Sequence, residues 1–197
     1  MRNQWYGDHR DIVKWGVLVE IAHRNNIPMI LQVAYLNPDD GIPRLNSELG
    51  EVEVAPEVIS HFRDIHKIAS LAEATGIRID IFDREFIPRE RQEYTAQIID
   101  TIKTLPRPAL VFLDPDTGML DKPLSPTHVL PDEVRAIWYN LRLDDWLVLY
   151  QHASRQVDWA DKSCREFKAA CRGARVISFR SPNGAQDVVF FAVQRVH

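Results

Sequence analysis

The sequence predicts an α/β protein with a doubly wound, mostly parallel sheet and an antiparallel C-terminal strand. Three observations carry that prediction. Apolar runs of strand length alternate with segments of helical period along most of the chain, the pattern of parallel strands joined by crossover helices. Two runs, 109–113 and 146–150, are apolar throughout, as strands buried on both faces are. The last two strand candidates, 175–180 and 188–193, are joined through Ser181-Pro182-Asn183-Gly184 with no helix between them. So short a connection makes the final strand antiparallel to its neighbour.

The elements follow in order. Residues 8–25 read as a helix with Asp8 as N-cap. Ile12, Trp15, Val19 and Ala22 share one face, and Leu18 and Ile21 widen it. Gly16 costs that helix about 1 kcal/mol relative to Ala. Pro28 opens a strand over 29–36, closed by the polar turn Asn37-Pro38-Asp39-Asp40-Gly41. Pro56 starts a helix to Thr75, and Gly76 ends it. Residues 77–83 alternate and are rich in β-branched side chains, so they form a strand. Residues 88–105 return to helical spacing through Tyr94, Ile98, Ile102 and Leu105. After the 109–113 strand, a long loop carries Pro123 and Pro126, and Pro131 suits a helix start. The 146–150 strand ends in Gln151-His152, and residues 159–172 form a helix with Cys164, Phe167 and Cys171 inward.

The totals bound the class. At 197 residues the chain suits one domain, 1–197, with a real core. Hydrophobic content of 45% and a net charge of −4 are ordinary for a globular protein and give no global electrostatic case for nucleic acid. No stretch reaches the roughly 18 apolar residues of a membrane span. Cys164 and Cys171, seven apart on a helix, are roughly 10 Å apart by helical rise and too distant to bridge. Reduced thiols point to the cytoplasm. No Walker loop, zinc-binding His-Glu pair, CxxC pair or Gly-x-Ser-x-Gly elbow occurs.

The candidate chemistry gathers at strand ends. Open parallel sheets place ligands at the carboxyl ends of their strands. Asp114 and Asp116 bracket a proline there, as hydrogen-bond acceptors or as a carboxylate pair for a hard cation. Gln151, His152 and Arg155 follow the other all-apolar strand and would stand beside Asp114 if the two strands are neighbours. Asp8, His9, Asp11 and Lys14 crowd one helix start, which a well-buried helix would carry to the sheet rim. Asp39 and Asp83 end two further strands, and Trp5 and Tyr6 have the rings to stack a base.

Two motifs carry a family resemblance. Gly7-Asp8-His9-Arg10-Asp11-Ile12-Val13-Lys14 is similar to the Gly-Asn-His-x-Asp-Val-Leu-Lys stretch of the large-subunit ribosomal RNA adenine methyltransferases, with Gly7, His9, Asp11 and Lys14 matching. The strand ending Asp114-Pro115 resembles their catalytic Asp-Pro-Pro-Tyr, with Asp116-Thr117 in place of the second proline and the aromatic. The turn after the first strand also lacks that superfamily's glycines. The resemblance implies a Rossmann-like methyltransferase fold and S-adenosylmethionine as cofactor. It implies Asp114 as acceptor of the target amine, and Lys14, Asp11, Asp39 and Asp83 on the cofactor side. Asp116 and His152 complete the catalytic candidates, and Gln151, Arg155 and Tyr6 are the substrate-binding ones, for a nucleic acid or nucleotide.

Two other readings stand beside it. A metal-dependent phosphodiester hydrolase would hold magnesium or manganese on Asp114, Asp116 and His152 to activate water. A non-catalytic binding module would keep the fold and dispense with the cofactor.

Overall fold

The computed structural model describes residues 7, 9–38, 44–48, 50–58 and 64–196. In chain order the elements are α1 (His9–Arg24), β1 (Met29–Val33), β2 (Arg44–Ser47), β3 (Gly50–Glu53), a 3-10 segment (Ile65–Ser70) running into α2 (Leu71–Thr75), and β4 (Arg78–Phe82). A 3-10 turn (Pro88–Glu90) then leads into α3 (Arg91–Thr104), β5 (Ala109–Leu113), β6 (Gly118–Met119), β7 (His128–Val129), α4 (Pro131–Asn140) and β8 (Trp146–His152). The chain continues through α5 (Trp159–Ala170), β9 (Ile177–Ser181) and β10 (Ala185–Gln194).

Six strands form one sheet in the order β4-β1-β5-β8-β10-β9. The first four run parallel, and β10 is antiparallel to both β8 and β9. The expected class therefore holds. The chain's last strand is not at the sheet edge: it inserts between β8 and β9. The physical reason is its composition, since β10 is buried from Val188 to Val193 whereas β9 is largely exposed.

Strand alternation divides the core into two faces. Met29, Leu31 and Val33 of β1, with Val111, Leu113, Leu147 and Leu149, pack under α3, α4 and α5. Ile30, Leu110, Phe112, Val148 and Tyr150 pack under α1 and the segment containing Ile68. β1 and β5 are buried at every position; β5 therefore reads as an unbroken apolar run, whereas β1 carries one amide, Gln32, within its run.

Three local readings need correction. Ile12 is 77% exposed, so the inward face of α1 is Asp11, Lys14, Trp15, Leu18, Ile21 and Ala22. This face keeps helical spacing but begins with two charges, which an apolar count passes over. The helix expected over 56–75 is not one element among the described residues. Asp64 is extended, at φ −125° and ψ 95°, and its carboxylate accepts from the His66 N–H to start a separate 3-10 turn. The strand from Met29 stops at Val33, and Tyr35 beyond it adopts φ 45°, leaving only a bridge from Leu36 to Glu85. Gly16 has open space around it, so α1 simply tolerates it.

Candidate functional site

The sheet reverses its winding between β1 and β5. From β1 the chain crosses over to β4 on one side, and β5 and β8 then fill the other. Such a switch point opens a crevice at the carboxyl ends of the two strands, where open α/β sheets bind ligands. Asp114 directly follows β5, and its N–H donates to Val33 O at 3.0 Å. The residue is 2% exposed.

Two donors meet that carboxylate. Lys14 Nζ from α1 lies 2.9 Å from Asp114 Oδ2, and Gln32 Nε2 from β1 donates to the same oxygen at 2.7 Å. Lys14 also reaches Asp11 Oδ1 at 2.8 Å, and Asp11 Oδ2 accepts from the Gly7 N–H at 2.7 Å. Oδ1 of Asp114 takes no hydrogen bond among the described residues. Burial is the largest influence on the Asp114 carboxyl and moves it upward, with Lys14 opposing it. Burial also pulls on Lys14, but the Asp114 and Asp11 carboxylates outweigh it and hold the ammonium above its ordinary value. The cluster thus keeps one firm cation beside a carboxyl group that burial makes more basic.

A second cluster flanks the first. Arg10 from α1 lies 2.5 Å from Asp187 Oδ2, and His152 Nε2 is 3.1 Å from the same oxygen. His152 Nδ1 faces Ala153 O at 3.1 Å. The Arg10 hydrogen bond, the largest influence on Asp187, holds its carboxyl below the usual carboxylate range. Tyr150 stands between the clusters, its ring 5.7 Å from Lys14 Nζ.

The loop from β5 to α4 is tied down independently. Gln151 is 6% exposed, and its amide is committed to backbone: Oε1 accepts from Met119 N at 2.9 Å, while Nε2 donates to Thr117 O and His152 O at 3.1 and 3.2 Å. Gly118, at φ 112°, lies so close that a Cβ there would sit 2.4 Å from the Gln151 amide carbon. Asn37 donates to Asp116 Oδ2 at 3.3 Å and to Pro126 O at 3.0 Å. Arg91 binds both oxygens of Glu133, at 3.0 and 2.8 Å, and the carbonyls of Pro123, Ser125 and His128.

The candidates therefore separate. Asp114, Lys14 and Asp11 come together, with His152 one cluster away. Asp116 turns to Asn37, and Gln151 braces the loop instead of facing a ligand. Asp83 pairs with His66 at 3.0 Å on the surface and does not join Asp114. Arg155 stands exposed past the end of β8. Asp39, Tyr6, Trp5 and Asp8 lie outside the described residues. The magnesium or manganese site expected from Asp114, Asp116 and His152 does not assemble. Each of the three acids or bases is held by a different partner, and no three His, Cys, Asp or Glu side chains among the described residues group to hold a metal ion.

Three residues were missed from sequence. Gln32 left a signal, a single amide inside a fully buried strand. Arg10 and Asp187 lie 177 positions apart and left none. Among the described residues, no helix is long and apolar enough to cross a membrane.

No family model matches the chain, and no curated protein matches it in sequence. Solved structures with a similar fold include a provisionally assigned methyltransferase from Thermobifida fusca, 16% identical at a TM-score of 0.47, covering 95% of this chain and 80% of that one. A DUF574-family protein from Streptomyces avermitilis is 13% identical at 0.43, covering 95% and 82%. A provisionally assigned rRNA methylase from Clostridium thermocellum is 8% identical at 0.41, covering 92% and 97%. Likenesses this distant say nothing about reaction or substrate.

Proposed function

We propose that the protein is an S-adenosylmethionine-dependent methyltransferase acting on an amine of a nucleotide or nucleic-acid base. The observation that carries this reading is Asp114: a buried carboxylate at the switch point, oriented by Lys14 and Gln32 through Oδ2, with Oδ1 making no bond among the described residues. That oxygen is not sealed from solvent, so it is open to accept from a ligand N–H. A second support is Tyr35, a bulky residue at φ 45° just beyond β1. Strain of that kind gathers at ligand sites.

The donor set suits an amine and a neutral-to-cationic cofactor. Bound S-adenosylmethionine supplies an electrophilic methyl group on a sulfonium. Asp114 Oδ1 accepts from an acceptor N–H, turns the nitrogen lone pair toward that methyl, and receives the proton the nitrogen sheds. The upward pull of burial on Asp114 favours that last role. Lys14 and Asp11 fix the carboxylate, and Asp83, past the end of β4, falls on the cofactor side. Arg155 and His152, beyond and at the end of β8, would meet a phosphate of the acceptor.

Isothermal calorimetry tests the reading. Micromolar binding of S-adenosylmethionine, followed by transfer of a labelled methyl to adenine-containing nucleosides or RNA, supports it. No heat up to millimolar cofactor contradicts it.

A further inference from the structure

Tyr150 is a rim residue that the reaction above does not use. Val33, Leu113 and Leu149 are aligned across β1, β5 and β8, so Tyr150 stands beside Asp114 on the next rung. Both belong to the α1 face of the sheet: Phe112, two residues before Asp114, packs in the same cluster as Val148 and Tyr150. Tyr150 is 6% exposed. Its ring is anchored edge-on to Phe190, with centroids 5.7 Å apart, and lies under the Lys14 ammonium. Its neighbours supply charges on both sides, Asp114 and Lys14 on one and Arg10 and Asp187 on the other. Yet its hydroxyl makes no hydrogen bond among the described residues. Unlike the hydroxyls of Tyr35 and Tyr94, it is not sealed from solvent and so stays open to a ligand. Burial, the largest influence, moves this phenol upward, so it keeps its proton.

We propose that the Tyr150 hydroxyl is a second contact for the acceptor nitrogen, working beside Asp114 Oδ1. The inference rests on the methyl-transfer reading and extends it. Two acceptor oxygens on adjacent strand ends match a primary amine, which has two N–H groups, better than a hydroxyl, which has one. With both N–H groups held, the lone pair is directed at the methyl carbon. In the transfer that lone pair becomes the new N–C bond, the C–S electron pair leaves on sulfur as a thioether, and one nitrogen proton passes to Asp114. Tyr150 keeps its proton throughout and only accepts.

The probe is sinefungin, a cofactor analogue with an amine where S-adenosylmethionine carries its methyl. Its N–H groups should meet Asp114 and Tyr150, whereas S-adenosylhomocysteine has no such donor. Calorimetry on the whole chain gives the ratio of the two affinities. The wild type should prefer sinefungin, and Tyr150→Phe should reduce that preference about tenfold, the size of one hydrogen bond to a charged group, while homocysteine-analogue binding stays within twofold. Should Tyr150→Phe fail to fold, 3-fluorotyrosine at position 150, read by fluorine NMR, replaces it. Sinefungin should then shift the resonance and S-adenosylhomocysteine should not. A preference unmoved by Tyr150→Phe, or a fluorine signal indifferent to sinefungin, overturns the Tyr150 assignment and leaves the methyl-transfer reading standing. Absence of S-adenosylhomocysteine binding overturns both.

Discussion

Two buried ion pairs sit near the same rim, and they are built differently. Arg91 and Glu133 close on each other completely. The guanidinium spends all five N–H groups on the two carboxylate oxygens and three carbonyls, and Glu133 also accepts from the Leu130 N–H at 2.7 Å. Lys14 and Asp114 are as deeply buried, but both donors to Asp114 converge on one oxygen and leave the other without a bond among the described residues. A saturated pair has nothing to offer a ligand. It fixes the loop that follows β5. An unsaturated pair at a switch point has bonding capacity held in reserve, and that distinguishes a site from a brace.

The sharpest way to break this contrast is to remove one charge from each pair. Asp114→Asn keeps the shape and loses the charge, and methyl transfer should fall by roughly 10²–10⁴-fold, the usual worth of a positioned proton acceptor. Its melting temperature should fall modestly, since the buried Lys14 ammonium loses one carboxylate partner and keeps Asp11 as the other. A variant that transfers at the wild-type rate would remove Asp114 from the chemistry. Arg91→Ala should do the opposite. It strands Glu133 in the interior and should cost about 3–5 kcal/mol in urea denaturation, with cofactor affinity lost only as the fold is lost. A loss under about 1 kcal/mol would mean that the pair is not the brace described here.

Smaller perturbations sharpen the same contrast. Gly118→Ala would drive a methyl group into the Gln151 amide at a backbone angle few side chains adopt, and overpacking of that kind costs about 1–3 kcal/mol. The expected result is a lower urea midpoint, partly restored by shortening Gln151 to Ser. The brace should also weaken in mild acid. His128 Nδ1 lies 2.7 Å from Ser125 Oγ, and its backbone carbonyl accepts from Arg91. Burial, with help from Lys122 and Arg91, holds the His128 ring below its ordinary value, so the folded state favours the neutral form. The unfolded chain takes up the proton near pH ~6.5, so this contribution is full above that pH and is lost as pH falls through it toward the folded value. Urea midpoints at pH 7.5 and 5.5 should differ, and His128→Asn should narrow the gap. The least effect concerns the thiols: burial pushes Cys171 up to about 12, so Ellman's reagent should label half-buried Cys164 well before Cys171.

The sequence made one side of the site legible and hid the other. Asp114 stood out because five apolar residues precede it, and a strand buried on both faces must end at a rim. Lys14 and Asp11 stood out through the N-terminal motif, although the apolar stripe drawn for α1 was rotated toward Ile12. A count of apolar residues cannot register a face whose first turn is buried through charge pairing. Gln32 was visible as one amide in a buried run, but its target, 82 residues away, was not. Gln151 could be placed at the end of β8, yet nothing in the residue order says that its amide turns back to Thr117 and Met119. The sheet order was only partly implied. Alternation gives the parallel strands and the short last connection gives an antiparallel final strand, while the position of β10 between β8 and β9 follows from its apolar length.

Side-chain NMR tests the central contrast most directly. The Gln32 amide and the Arg91 Nε–H are both visible in nitrogen–proton correlation spectra, and each reports on one of the two pairs. Titrating S-adenosylhomocysteine into the wild type should move the Gln32 amide signals and leave Arg91 Nε–H in place. Gln32 signals that stay fixed at saturating ligand, or an Arg91 signal that moves as far as they do, would contradict the assignment of the Lys14–Asp114 pair as the site and the Arg91–Glu133 pair as its support.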